Sequence, residues 1–333
     1  GVTGCECGWG AQHSRGCYVH TSKLITHGNA YAYHYCSLVN GSTTVIGEGV
    51  SFDQLFEALS HRSPFMSVLL LQDGWNLAES SSEGPNKVTS QRRMPTHFPR
   101  SLKILRLSEY GFTGTLTDAS ILSLQNLEVL DLAYNRLNGT ILQWVLKLTN
   151  LKCLNLGTNR MDGELPQGIG SLKSLTELVV HENHLHGSLP DSMQSLSKLE
   201  ILSLATNALT GPIRVGSWPR LRTYLVQNNG LTGQIPENIS SLQALESLDM
   251  SHNKISGTIP PSIGNLISLT LLSLGVNMLE GKIPSEIGRL KNLEALHLDS
   301  NDLSDNIPES MGDLSSLTLL AMHNNNLNGS VPD

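Results

Sequence analysis

The stretch LESLDMSHNKISGTIPPSIGNLIS, Leu245 to Ser268, runs directly into LTLLSLGVNMLEGKIPSEIGRLKN, Leu269 to Asn292. The two match over 24 positions: apolar residues at one, four, six and eleven, Asn at nine, Gly at thirteen and Ile-Pro at fifteen and sixteen. Working outward, units open at Leu102, Leu127, Leu151, Leu175, Leu199, Leu221, Leu245, Leu269, Leu293 and Leu317. The asparagine recurs at Asn135, Asn159, Asn183, Asn207, Asn229, Asn253, Asn277, Asn301 and Asn325, always 24 residues apart except for one interval of 22. A buried Asn must satisfy both its donors and its acceptor. Only stacked turns of a solenoid offer it the same backbone partners repeatedly. The alternation at positions four to six is that of a short strand with one buried face. Ten such strands at roughly 4.8 Å each make an inner parallel sheet on the order of 45 Å long.

Glycine at position thirteen runs from Gly114 through Gly139, Gly163, Gly187, Gly211, Gly233, Gly257 and Gly281 to Gly329. It suits a turn of positive φ or a close backbone approach. The following proline, as at Pro190 or Pro260, ends strand pairing and sets an extended path. Three units depart from the pattern. The first has Tyr110 in place of Asn, the Leu199 unit is two residues short and carries Arg214 and Trp218-Pro219, and the Leu293 unit has Asp305 in place of Gly. Local irregularity is expected at each, without a break in the solenoid.

The frame LxxLxLxxNxL with its LxGxIPxxIGxL tail resembles the plant-type leucine-rich repeat family over residues 102–333. That family includes receptor-like kinase and receptor-like protein ectodomains and polygalacturonase inhibitors. The resemblance implies an α/β solenoid, a curved leucine-rich repeat with a parallel β-sheet on its inner face. It also implies a secreted or cell-surface protein that binds a protein, peptide or glycan. One departure is at the start. The family's cap has an amphipathic helix followed by a Cys-Trp-Gly-Val-Cys-like motif, whereas here Cys7 to Gly10 precedes the candidate helix.

Residues 1–65 are read as a Cys-containing N-terminal α+β cap, 66–101 as an irregular repeat strand and a long loop, and 102–333 as the ten repeats, the last incomplete. Cys5, Cys7, Cys17 and Cys36 read as two disulfides. A metal reading arises from His13, His20, His27 and His34 nearby, but Cys-x-Cys is not the usual zinc knuckle spacing. Tyr31, Tyr33 and Tyr35 alternate as in a strand, Asn40-Gly41 signals a hairpin turn, and Ser42 to Ile46 would return. Ser51 with Gln54 forms a capping box opening a helix whose stripe is Phe52, Leu55, Phe56 and Leu59. Met66 to Leu71 reads as an extra repeat strand and Glu79 to Arg100 as a loop.

Net charge is −7, with pI near 5.9 and 15% charged residues. No basic run interleaved with aromatics occurs, so nucleic acid is excluded as a partner. No apolar stretch is long enough to span a membrane. The sequence opens on Gly1 without Met, which is compatible with a signal peptide removed or not included. It stops at position seventeen of the last unit, where a continuing chain or a partner is expected to cover the open end.

Positions three, five, seven and eight point away from the core, so ligand-binding candidates lie there. They are Arg106, Asp131, Tyr134, His181, Glu182, His252, His297, Asp299 and His323. No column is uniformly Thr, which argues against ice binding, and no aromatic stripe marks a hot spot. His181-Glu182 belongs to an HENHLH run that is not the HExxH zinc motif. Asp299 and His323 sit on adjacent strands at one position and are expected to touch. Cys153, at position three, reads as a lone thiol. Sequons at Asn40, Asn138, Asn238 and Asn328 are glycosylation candidates whose number alone does not establish secretion. No nucleophile–base or paired-carboxylate arrangement rises above chance, so neither catalysis, cofactor nor metal is expected. The expected function is a non-catalytic interaction module using the inner face. Alternatives are an accessory subunit that scaffolds an assembly and a hydrolase inhibitor.

Overall fold

The computed structural model describes residues 100–116, 124–141 and 143–330, with Phe98 and three short strands at Thr44–Val45, Val68–Leu70 and Arg92–Arg93. All of these belong to one compact unit, Cys36–Asp333. The expected cap helix, the tyrosine strand and the four N-terminal cysteines lie outside the described residues.

Each unit contributes a three-residue strand to an inner parallel sheet, in strict sequence order from Ile104–Arg106 to Leu319–Ala321. Register is one-to-one, as in Leu178 opposite Leu154 and Leu202. Two more strands extend the sheet before the first full unit. Val68–Leu70 pairs with Ile104–Arg106, and Thr44–Val45 pairs with Leu69–Leu70. Both pairings are parallel, and the hairpin partner expected for residues 42–46 lies outside the described residues.

Leucines at positions one, four, six and eleven are buried almost throughout and form one continuous core. The asparagine ladder closes it. Asn183 donates through Nδ2 to Leu156 O of the preceding unit and to Val180 O and His181 O of its own, at 3.0, 3.1 and 3.1 Å. Its Oδ1 accepts the Met161 amide at 2.8 Å. Every rung repeats this pattern, from Asn135 to Asn325.

A second parallel sheet, absent from the sequence reading, runs beside the first through positions ten to fourteen, for instance Arg160–Glu164 and His184–Ser188. Arg92–Arg93 joins it, inside the stretch read as loop. Only its eleventh position points inward, so side-chain periodicity does not announce it. Position thirteen explains its glycines. They hold φ between 73° and 94°, and a Cβ at Gly163 would stand 2.7 Å from the Thr140 methyl of the preceding unit. Asp305 takes the same turn at φ 65°, so the departure there leaves the strand intact.

The helical component of the solenoid is a row of 3₁₀ turns, such as Glu237–Ser241 and Ser285–Arg289. Proline directly precedes the turns from Asp191–Ser195 onward in extended conformation, with φ −75° and ψ 144° at Pro236, whose carbonyl accepts the Ile239 amide of the turn. The short Leu199 unit has no such turn. Trp218 fills the space instead, donating from Nε1 to Met193 O at 3.0 Å and meeting Tyr224 edge-on at 5.8 Å. Tyr224 in turn donates to Arg214 O at 2.7 Å, so the two missing residues are offset by two large buried rings.

Candidate inner-face binding site

The inner sheet presents positions three, five and seven as parallel columns. Position eight closes each row in the left-handed region, with φ between 52° and 68° at ten non-glycine residues from Glu109 to Asn324. That conformation normally costs about 1–2 kcal/mol for a side-chain-bearing residue. Hydrogen bonding between units holds it: the Thr158 amide donates to His181 O and the Glu182 amide to Ala205 O, at 2.8 and 2.9 Å. Tyr134, Glu182 and His252 therefore stand at the rim of the inner face, where the chain turns toward the second sheet.

The face differs from end to end. In units one to four its polar groups are largely buried. Asp131, Asn155, Glu177 and His181 all fall in that class, and Arg106 is half-buried. Burial pushes the Asp131 carboxyl up to about 6, against the opposing effects of the Ala133 amide and the Arg106 charge. Burial likewise lowers the Arg106 pKa, while Asp131 and Glu177 act to keep it charged. His181 lies flat over unit three. A Cβ on Gly157 would meet its ring at 2.7 Å, and its Nδ1 is 3.3 Å from Ser203 Oγ. Glu182 accepts the Thr158 hydroxyl at 2.9 Å.

Cys153 is disulfide-bonded, which corrects its reading as a lone thiol. Its partner lies outside the described residues. The Cys153 sulfur is buried 3.5 Å from Glu177 Oε2. Glu177 stands in the same column three and is not among the expected binding residues.

Units seven to ten are more open. His252 and His323 are exposed, and Asp249, His297 and Asp299 are partly so. Asp299 Oδ2 is 3.8 Å from His323 Nε2, so the expected contact across adjacent strands exists. His297 ends the strand Ala295–His297, two positions before Asp299. The HENHLH run, by contrast, is split between two sheets. His181 and Glu182 belong to the inner face and its rim, Asn183 and Leu185 to ladder and core, and His184 and His186 to the second sheet. His186 there lies 3.9 Å from Asp162.

Among the sequons, Asn138 and Asn328 are exposed on the second sheet, away from the inner face. Asn238 sits in a 3₁₀ turn, with Nδ2 3.3 Å from Val215 O. Asn40 lies outside the described residues. No group of three or more His, Cys, Asp or Glu among the described residues could hold a metal ion. No helix among them is long and apolar enough to cross a membrane.

Comparison with known proteins agrees with this geometry. The family model "Leucine-rich repeat region" matches residues 214–332, and "Leucine Rich Repeat" matches 126–148. No curated protein sequence matches the chain. Among solved structures, PEPR1-AtPEP1 is 34% identical with a TM-score of 0.67, over 73% of this chain and 38% of that one. The Arabidopsis receptor kinase HAESA, in complex with the peptide hormone IDA and the co-receptor SERK1, is 30% identical at 0.67, over 73% and 45%. A plant ice-binding protein is 27% identical at 0.59, over 69% and 74%. The chain thus spans less than half the length of the two receptor chains. The chain belongs to the plant-type leucine-rich repeat family.

Proposed function

We propose that this chain is a non-catalytic interaction module of a secreted or cell-surface protein, binding a peptide or protein segment along the inner face of units seven to ten. The observation that carries this reading is the open stretch of inner sheet from Asp249 to His323, in a fold shared with receptors solved together with peptide ligands. A parallel sheet face with polar columns between half-buried aliphatic residues offers an extended segment both hydrogen-bond partners and apolar contact. Neither the scaffold reading nor the inhibitor reading gains a specific contact among the described residues. Extracellular placement is supported by the receptor neighbours and by the exposed sequons Asn138 and Asn328, at the edge a glycan would need.

Crosslinking mass spectrometry on the native complex tests the reading. His252→Trp and His297→Trp should each abolish partner capture without changing the melting temperature. Capture retained by both variants, with crosslinks mapping to the second sheet or the 3₁₀ turns, would overturn it.

A further inference from the structure

Resting on the inner-face reading, we propose that units seven to ten select a segment carrying a cationic side chain, lysine or arginine, seated between the carboxylates of Asp249 and Asp299. Charge comes first. Positions two to ten of these four units hold Glu246, Asp249, Glu294, Asp299 and Asp302 against a single cation, Lys254. The same positions in units one to six hold six acidic and six basic residues. The acidic bias is therefore a property of the open half alone.

Geometry brings two of these groups together. Asp249 stands in column five of unit seven, where its Oδ1 accepts the amide and the hydroxyl of Ser251 at 2.9 and 2.7 Å. These bonds fix the carboxylate, and its Oδ2 takes no partner among the described residues. Asp299 stands in column seven of unit nine but leans back over unit eight. A Cβ on Gly275 would lie 2.8 Å from Asp299 Oδ1, so the missing side chain at Gly275 is what admits the carboxylate. The lean brings Asp299 from two rows away toward the row next to Asp249, roughly 4.8 Å along the sheet and two strand positions, about 6–7 Å, along the row. Unit eight supplies the floor, with Leu271 half-buried and Val276 exposed at the rim. A lysine or arginine matches both features, laying its aliphatic stem on Val276 at the rim and its charged head between the carboxylates. The other titratable groups facing this row are His252, His297 and His323.

Selection of a random decapeptide library on the intact chain tests this. Enrichment of peptides with lysine or arginine is expected, together with at least a tenfold loss of their affinity in Asp249→Asn/Asp299→Asn and none in Asp162→Asn on the second sheet. Enriched peptides that lack a basic residue would overturn the cation proposal and leave the inner-face reading standing. Basic peptides that bind the double variant as tightly as the wild type would also overturn it. No enrichment at all would overturn both. Gly275→Ala supplies an independent arm. It displaces Asp299 without removing a charge, and should weaken selected peptides severalfold if the lean matters.

Discussion

Units two to four and units seven to ten share one backbone, one core pattern and one ladder, yet their inner faces have opposite character. In the first group Asp131, Asn155, Glu177 and His181 are buried polar groups held by neighbours. In the second, Asp249, His252, His297, Asp299 and His323 sit in similar columns and retain contact with solvent. A glycine in column seven serves both. Gly157 receives the His181 ring and Gly275 receives the Asp299 carboxylate, each from the following unit. The repeat thus sets where a side chain starts, and its surroundings decide whether it stabilises the protein or remains available to a partner.

The largest effect that can break this contrast lies in the ladder. Asn183→Ala strips two carbonyls of its own unit, one of the preceding unit and the Met161 amide of a partner at a buried site. It should cost about 4 kcal/mol, since each unsatisfied buried group costs about 1–3 kcal/mol and part of the loss is recovered by relaxation. Asn325→Ala makes the same deletion where the side chain is only partly buried, and water can replace the bonds. About 1 kcal/mol is expected there. Equal losses in urea unfolding would show that the two ends are equivalent after all.

Next comes Asp131. Its folded-state pKa of about 6 lies above the ordinary 3.8, so the folded state holds a proton that the unfolded chain has released across that window. Stability from this group is fully present below pH 3.8 and is lost as the pH rises through 6. The span corresponds to about 3 kcal/mol. Asp131→Asn should therefore raise stability at pH 7 and flatten its dependence between pH 4 and 6. Thermal melts of the variant and the wild type across that range decide it. An unchanged slope for Asp131→Asn would show that this end of the face is not desolvated.

The smallest effect comes from the paired glycines. Gly157→Ala drives a methyl group into a buried imidazole and should cost about 2 kcal/mol. Gly275→Ala meets a partly exposed carboxylate that can swing away, and should cost about 0.5 kcal/mol or less in the same melts. Reversal of that order would mean that Asp299, not His181, is the better-anchored side chain.

Much of the fold was legible because repetition multiplies weak signals. The leucine positions, the ladder and the turn glycines each recur in unit after unit, and each has a stereochemical reason. The second sheet was not legible. Its strands place only one residue in five inward, as Leu185 does between His184 and Ser188, and pairing between units forms them. The left-handed row at position eight was equally hidden, since Tyr134, Thr158, Val276 and Ser300 share no residue type that prefers it. At the site, the Asp299–His323 contact followed from strand spacing alone. The bonding of Cys153 and the burial of Glu177 beside it were hidden, because a single residue in column three carries no repeating pattern.

Repeat length, core positions and the places where side chains leave the inner sheet are written in the chain itself, because every unit must bury the same leucines and close the same turn. Which of those side chains are buried and which remain open, that Asp299 bends over Gly275, and that His184 and His186 part company with His181 are decided only when units stack. Those outcomes depend on what stands in the neighbouring row about 4.8 Å away.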